Sequence, residues 1–144
     1  MNLLEIQNLK VHFPVQPRLF SRAKEFVRAV DDVSFAIAPG ETVGLVGESG
    51  CGKTTLGRAV IKLIEPTSGR IVFAGEHIAG LTGAQLRARR RRFQMIFQDP
   101  YGSLDPRLTV ADIIGEALDI HHLTPNASAR RERIAPAATP AQTM

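Results

Sequence analysis

One stretch limits what this chain can fold into more than any other: GESGCGKTT, residues 47–55. Gly47, four intervening residues, Gly52, Lys53 and Thr54 fit the pattern G-x-x-x-x-G-K-[ST], which acts as a phosphate cradle when a strand precedes it and a helix follows. Both are expected here. Residues 42–46 (TVGLV) read as a short buried strand. Leu56, Ala59, Val60, Leu63 and Ile64 recur at i, i+3, i+4, i+7 and i+8, one apolar stripe of a helix facing a sheet. Glycines at 47, 50 and 52 permit positive φ, so successive N–H groups turn toward one concavity that accepts phosphate oxygens.

The candidate nucleotide-binding residues are therefore Gly47, Glu48, Ser49, Gly50, Cys51, Gly52, Lys53, Thr54 and Thr55. Lys53 brings an ammonium to the outer phosphates and Thr54 a hydroxyl to Mg²⁺, while the helix start offers unpaired N–H groups and the positive end of its dipole. The blander alternative is a glycine-rich turn that binds nothing; the flanking pattern argues against it.

A length of 144 residues predicts one domain. The formal charge of +4 is modest, with arginines clustered at 87–92 and 130–133. The single cysteine, Cys51, excludes an internal disulfide and favours a reducing compartment. No run of eighteen apolar residues occurs, and MNLLEIQNLK lacks a charged segment followed by an apolar one. The chain is expected to be neither exported nor membrane-spanning by itself.

Residues 3–13 read as a strand in which Leu4, Ile6, Leu9, Val11 and Phe13 alternate with one slip near Asn8. Pro14 and Pro17 end it, and residues 14–26 look like an inserted loop. A second strand over 27–37 leads into a turn of Ala38, Pro39, Gly40 and Glu41. After the phosphate loop, Pro66 and Gly69 stop the helix, and 70–73 is a short strand. Thr82 with Gln85 forms a capping-box start for a helix over 85–91, followed by a strand over 93–97. Thr109 with Asp112 caps a further helix, with Val110, Ile113, Ile114, Ala117 and Leu118 on its apolar stripe. Residues 124–144 hold three prolines and only Ile134 and Met144 as larger apolar side chains. They are expected to be a disordered tail, with nascent helix at 126–133.

The loop, the two strands before it and FQDPYGSLDPRLTV (97–110) together resemble the ATP-binding subunits of ABC transporters. AVDDVSFAIAPGETVGLVGESGCGKTTLGRAVIKLIEPTSGRIVFAGEHIAGL (29–81) and MIFQDPYGSLDPR (95–107) narrow the likeness to the dipeptide and oligopeptide importers. It covers about residues 1–134. The resemblance implies an incomplete α/β P-loop NTPase domain over 1–123: an antiparallel β subdomain (1–41), then the first part of a parallel-sheet core (42–123). It implies ATP and Mg²⁺ as cofactors, transmembrane permease subunits as partners through the loop around Gln98, and a second ATP-binding subunit. It also implies a peripheral place on the cytoplasmic face of the membrane.

Gln98 matches the family glutamine that touches Mg²⁺ and the attacking water; a neutral amide offers oxygen without the desolvation cost of a carboxylate. Phe13 matches the aromatic position stacked on adenine, with Phe26 as the weaker match. Such a stack is worth about one kcal/mol beyond area burial. Core packing is the plain alternative for either ring.

Three family features are missing: the LSGGQ signature, an apolar strand ending in Asp-Glu, and the switch histidine. Ala117, Leu118 and Asp119 lack the glutamate and lie on a helical stripe. ATP hydrolysis by this chain alone is not expected. APAATPAQTM (135–144) resembles no family segment, which predicts a truncated or frameshifted product with open sheet edges and poor solubility.

RARRRRF (87–93) reads either as a nucleic-acid patch or as a solvated helix end; without aromatic interleaving the second is favoured, and no nucleic-acid partner is expected. His12, His77, His121 and His122 lack ligand partners at usable spacing. Two other functions stay open: a small P-loop kinase acting on a metabolite, and a non-catalytic interaction module. The antiparallel strand pair before the loop stands against the kinase.

Overall fold

The computed structural model describes residues 1–15, 25–99, 102 and 104–138. The chain divides into two units, Met1–Phe93 and Gln94–Met144. The first is built on a four-stranded antiparallel sheet in the order β2-β1-β3-β4. Strand β1 spans Leu4–Pro14 and β2 spans Phe26–Ile37, close to the expected bounds. The alternation slip near Asn8 is real: Asn8 takes φ 47°, Asp32 across from it takes φ 59°, and the register shifts between Ile6 and Leu9. Asn8 donates from Nδ2 to Asp32 Oδ1 at 3.0 Å. A short polar side chain that tolerates the left-handed region fits this bulge. The two strands also run further than the sequence suggests, since Pro14 pairs with Phe26 and Val15 N–H donates to Glu25 O at 2.9 Å. The rest of the expected inserted loop, 16–24, lies outside the described residues.

The 38–41 turn closes by Glu41 N–H to Ala38 O at 3.2 Å, and Gly40 adopts φ 77° where only glycine is unstrained. Strand β3 spans Ser68–Phe73, and a two-residue turn at Ala74 and Gly75, both with positive φ, joins it to β4, Glu76–His77. That is the hairpin geometry matching strand twist. The sequence reading missed β4.

Helix α1, Lys53–Val60, stops four residues short of the expected Ile64. The apolar stripe is broken at Lys62, which turns to φ 56° and sends its side chain inward, 2% exposed. There Nζ donates to Glu65 Oε1 and to the carbonyl of Ala79. Leu63 and Ile64 N–H reach back to Arg58 O instead of continuing the helix. Helix α2 covers Gly83–Arg90, but Thr82 makes no side-chain cap bond, so the expected capping box is not formed. The core gathers Ile6, Leu9, Val11 and Ile71 of the sheet with Leu56 and Ala59 of α1 and Ile78. Burying each large aliphatic side chain contributes roughly 1.5–3 kcal/mol.

Two expected strands are corrected. Neither 42–46 nor 93–97 is a strand. A strand exists only as a pairing, and among the described residues every ladder is antiparallel and uses β1 to β4 alone. Val43, Leu45 and Val46 are accordingly left 47%, 55% and 93% exposed.

In the second unit α3 spans Val110–Ile120, with the expected cap: Thr109 Oγ1 accepts from Asp112 N–H at 3.2 Å. The disorder expected over 124–144 is corrected for 127–138, where α4 spans Ala127–Ala138 and takes in most of the nascent helix expected at 126–133. Asn126 Oδ1 accepts from Ala129 N–H at 2.9 Å, and Ile134 is 4% exposed. One buried anchor, one cap and an ion pair to α3 stabilise a segment whose composition alone does not. Residues 139–144 lie outside the described residues.

Candidate functional site

The loop from 47 to 52 leaves the unpaired 42–46 segment and delivers the chain into α1. Gly50 takes φ 83° and Gly52, the N-cap of α1, φ 96°. The Gly52 Cα lies against β2, where an added Cβ would run into the Ala29 carbonyl oxygen. Gly47 is less constrained, since a Cβ there would stand 2.7 Å from Cys51 Sγ, the end of a side chain that can turn away. The motif glycine at 52 is thus required by close approach, and those at 50 and 52 by conformation.

Lys53 folds back over the loop. Its Nζ donates to Gly47 O at 2.7 Å and Glu48 O at 2.5 Å, and lies 3.5 Å from Cys51 Sγ. This brings Gly47, Glu48, Cys51 and Lys53 together around one ammonium. Ser49, Gly50 and Thr54 are exposed and Thr55 is half-buried. No side chain caps the start of α1 and no acidic residue sits in its first turn. Its leading N–H groups face no competing carboxylate, an arrangement suited to an anion. The cradle therefore fits a polyphosphate: glycines where side chains would intrude, a cation on the loop's inner carbonyls, and an uncapped helix start.

For a metal, no cluster of three or more His, Cys, Asp or Glu side chains exists among the described residues. The Thr54 hydroxyl is the donor present, which suits Mg²⁺, an ion held by few protein ligands together with phosphate oxygens and water.

A cavity of about 390 Å³ adjoins the loop, lined by Arg28, Ala29, Asp31, Cys51, Gly52 and Lys53 among others. The sequence reading singled out none of the β2 residues that line this cavity; only the fold brings them beside the loop. Asp31 is held below the usual carboxylate range by the hydrogen bond from His12, opposed by desolvation and reinforced by the charges of Arg28, His12 and Lys10. His12 Nε2 lies 3.2 Å and Arg28 Nη1 3.4 Å from that carboxylate.

Phe13 sits at the end of β1 opposite Val27, 39% exposed, and Phe26 is 52% exposed. Gln98 belongs to the second unit and is exposed. In the arginine run, Arg89 donates twice to Glu76 (2.5 and 2.7 Å), Arg90 donates to Lys62 O at 3.2 Å, and Arg92 lies over the Phe73 ring at 5.2 Å.

The family model described as ABC transporter matches residues 30–142. The chain belongs to the ABC transporter family. This ABC-family chain is 54% identical over 133 residues to the oligopeptide transport ATP-binding protein OppF of Bacillus subtilis (strain 168), covering 92% of the chain and 41% of that protein. It is 51% identical over 121 residues to the glutathione import ATP-binding protein GsiA of Pectobacterium atrosepticum, covering 84% of the chain and 19% of that protein. The chain thus spans less than half the length of these curated relatives. Among solved structures, a dimeric ATP-binding cassette bound to ADP and Pi superposes with TM-score 0.71 at 23% identity, over 92% of this chain and 54% of that one. An ATP-binding subunit of an ABC transporter superposes with TM-score 0.65 at 29% identity, over 94% and 48%. The ABC-family fold is thus an α/β, partial ATP-binding domain carrying the antiparallel subdomain, as expected. No helix among the described residues is long and apolar enough to cross a membrane.

Proposed function

We propose that this chain provides the phosphate-gripping part of the energy-coupling, ATP-binding subunit of an importer for peptide-type solutes. The observation that carries it is the Lys53 ammonium seated on the Gly47 and Glu48 carbonyls beside an uncapped helix start. Main-chain N–H groups of residues 47–55 orient the phosphates, Lys53 moves from its own loop to the outer phosphate oxygens, and the Thr54 hydroxyl takes a place in the Mg²⁺ shell. Phe13 contacts the adenine ring. Bound MgATP supplies the energy that the assembled transporter couples to transport.

The names of the relatives support oligopeptides or glutathione as the class of solute. The partners in this reading are membrane permease subunits docking on the loop around Gln98, and a second ATP-binding subunit, at the cytoplasmic face of the membrane. The intramolecular partners of Arg89, Arg90 and Arg92 support a structural role for that run over nucleic-acid binding.

Calorimetric titration of the chain with MgATP tests the reading. Saturable heat that Lys53→Ala weakens by about tenfold or more is expected, on the scale of losing a charge-assisted contact. Identical behaviour of the two proteins overturns it.

A further inference from the structure

The phosphate loop meets the sheet at one place, where Gly52 lies against the Ala29 carbonyl. The cavity of about 390 Å³ beside it has Lys53 and Arg28 as its two cationic lining residues, with Leu56 among its apolar ones. Arg28 immediately precedes Ala29, so a ligand held by the loop and extending over β2 passes it. Its side chain is 71% exposed, and its Nη1 lies 3.4 Å from Asp31 Oδ2. That carboxylate is also 3.2 Å from His12 Nε2 and 3.9 Å from Lys10 Nζ.

A guanidinium already paired with a carboxylate is a poor partner for phosphate, because the neighbouring Asp31 repels the anion. It keeps its flat, weakly hydrated faces, which stack on aromatic rings. Phe13 does not line this cavity.

We infer that Arg28, positioned by Asp31, joins Phe13 in meeting the base of the bound nucleotide, stacking its guanidinium on an aromatic heterocycle. The inference rests on the phosphate-loop reading above and adds a specificity element to it. It predicts discrimination between a nucleotide and a bare polyphosphate chain that presents the same charges without a ring.

The test titrates the full 144-residue chain, Arg28→Ala and Arg28→Lys with MgATP and with magnesium tripolyphosphate. The expected result is MgATP affinity about two- to five-fold weaker in Arg28→Ala, the scale of an exposed cation–π contact, with tripolyphosphate affinity unchanged. Arg28→Lys, which keeps the charge and loses the planar face, is expected to fall between the two. Equal loss for both ligands overturns the inference, because Arg28 then acts on phosphate. No loss for either also overturns it. Failure of the unaltered chain to bind either ligand instead removes the phosphate-loop reading itself.

Discussion

Gly52 is pressed so closely on Ala29 that any side chain at residue 52 would overlap the Ala29 carbonyl oxygen. This contact ties the phosphate loop to β2 and orients the start of α1 over the sheet. At φ 96° it also demands a conformation that an L-residue adopts only with strain. Gly52→Ala is therefore expected to cost on the order of 3 kcal/mol of stability, combining both penalties. Urea unfolding followed by circular dichroism measures it, and an unchanged midpoint would show that the contact is not made.

Cys51 is exposed, and its sulfur stands 3.5 Å from Lys53 Nζ in the cradle itself. Occupation of the cradle is expected to shield it. Alkylation of Cys51, followed by mass spectrometry, should slow severalfold in saturating MgATP and not in magnesium chloride alone. Equal rates in the two solutions speak against occupation of the loop.

Glu76 is held below its ordinary value of 4.5 first by the hydrogen bonds from Arg89 and then, against a desolvation cost, by the charges of Arg89 and Arg92. A carboxyl with a folded value below its unfolded one contributes stability fully above the unfolded value and loses it as pH falls through the folded one. The melting temperature of the unaltered chain should therefore fall more steeply below about pH 4.5 than that of Glu76→Gln. Parallel acid limbs in the two proteins would remove Glu76 from the pH dependence.

Arg130 of α4 donates from Nε to both carboxylate oxygens of Asp119, at 2.9 and 3.0 Å, and its guanidinium lies over Gly115 of α3. With few apolar anchors in α4, this contact carries much of its docking. Arg130→Ala should raise amide exchange across 127–138 severalfold while leaving the β1 and β2 amides at their former rates. Unchanged exchange in α4 would assign its order to Ile134 and Asn126 instead.

The glycine-rich loop was legible because its pattern is local: glycine spacing, one lysine and one threonine, with an apolar run before and a helical stripe after, mark it in the sequence. The same holds for the Thr109 cap, whose partner Asp112 is three residues on, and for the alternation of β1 with its slip at Asn8, which shows in the residue pattern itself. The failures share a cause in the opposite direction. Residues 42–46 and 93–97 have the apolar content of strands, yet a strand forms only against a partner, and no pattern within five residues reports one. Helix α1 ends early because Lys62 finds the Ala79 carbonyl, seventeen residues away. Helix α4 forms because Arg130 reaches Asp119 in α3.

The amino-acid order by itself determined the family, the antiparallel opening of the sheet and the place of the glycine-rich loop ahead of a helix. Only the tertiary structure decided that Gly52 must abut Ala29, that Arg28 borders the site and that the loop's own carbonyls hold Lys53. The first group depends on backbone conformations that a few adjacent residues impose. The second depends on which distant segments come within contact distance, and that is fixed by packing of the core.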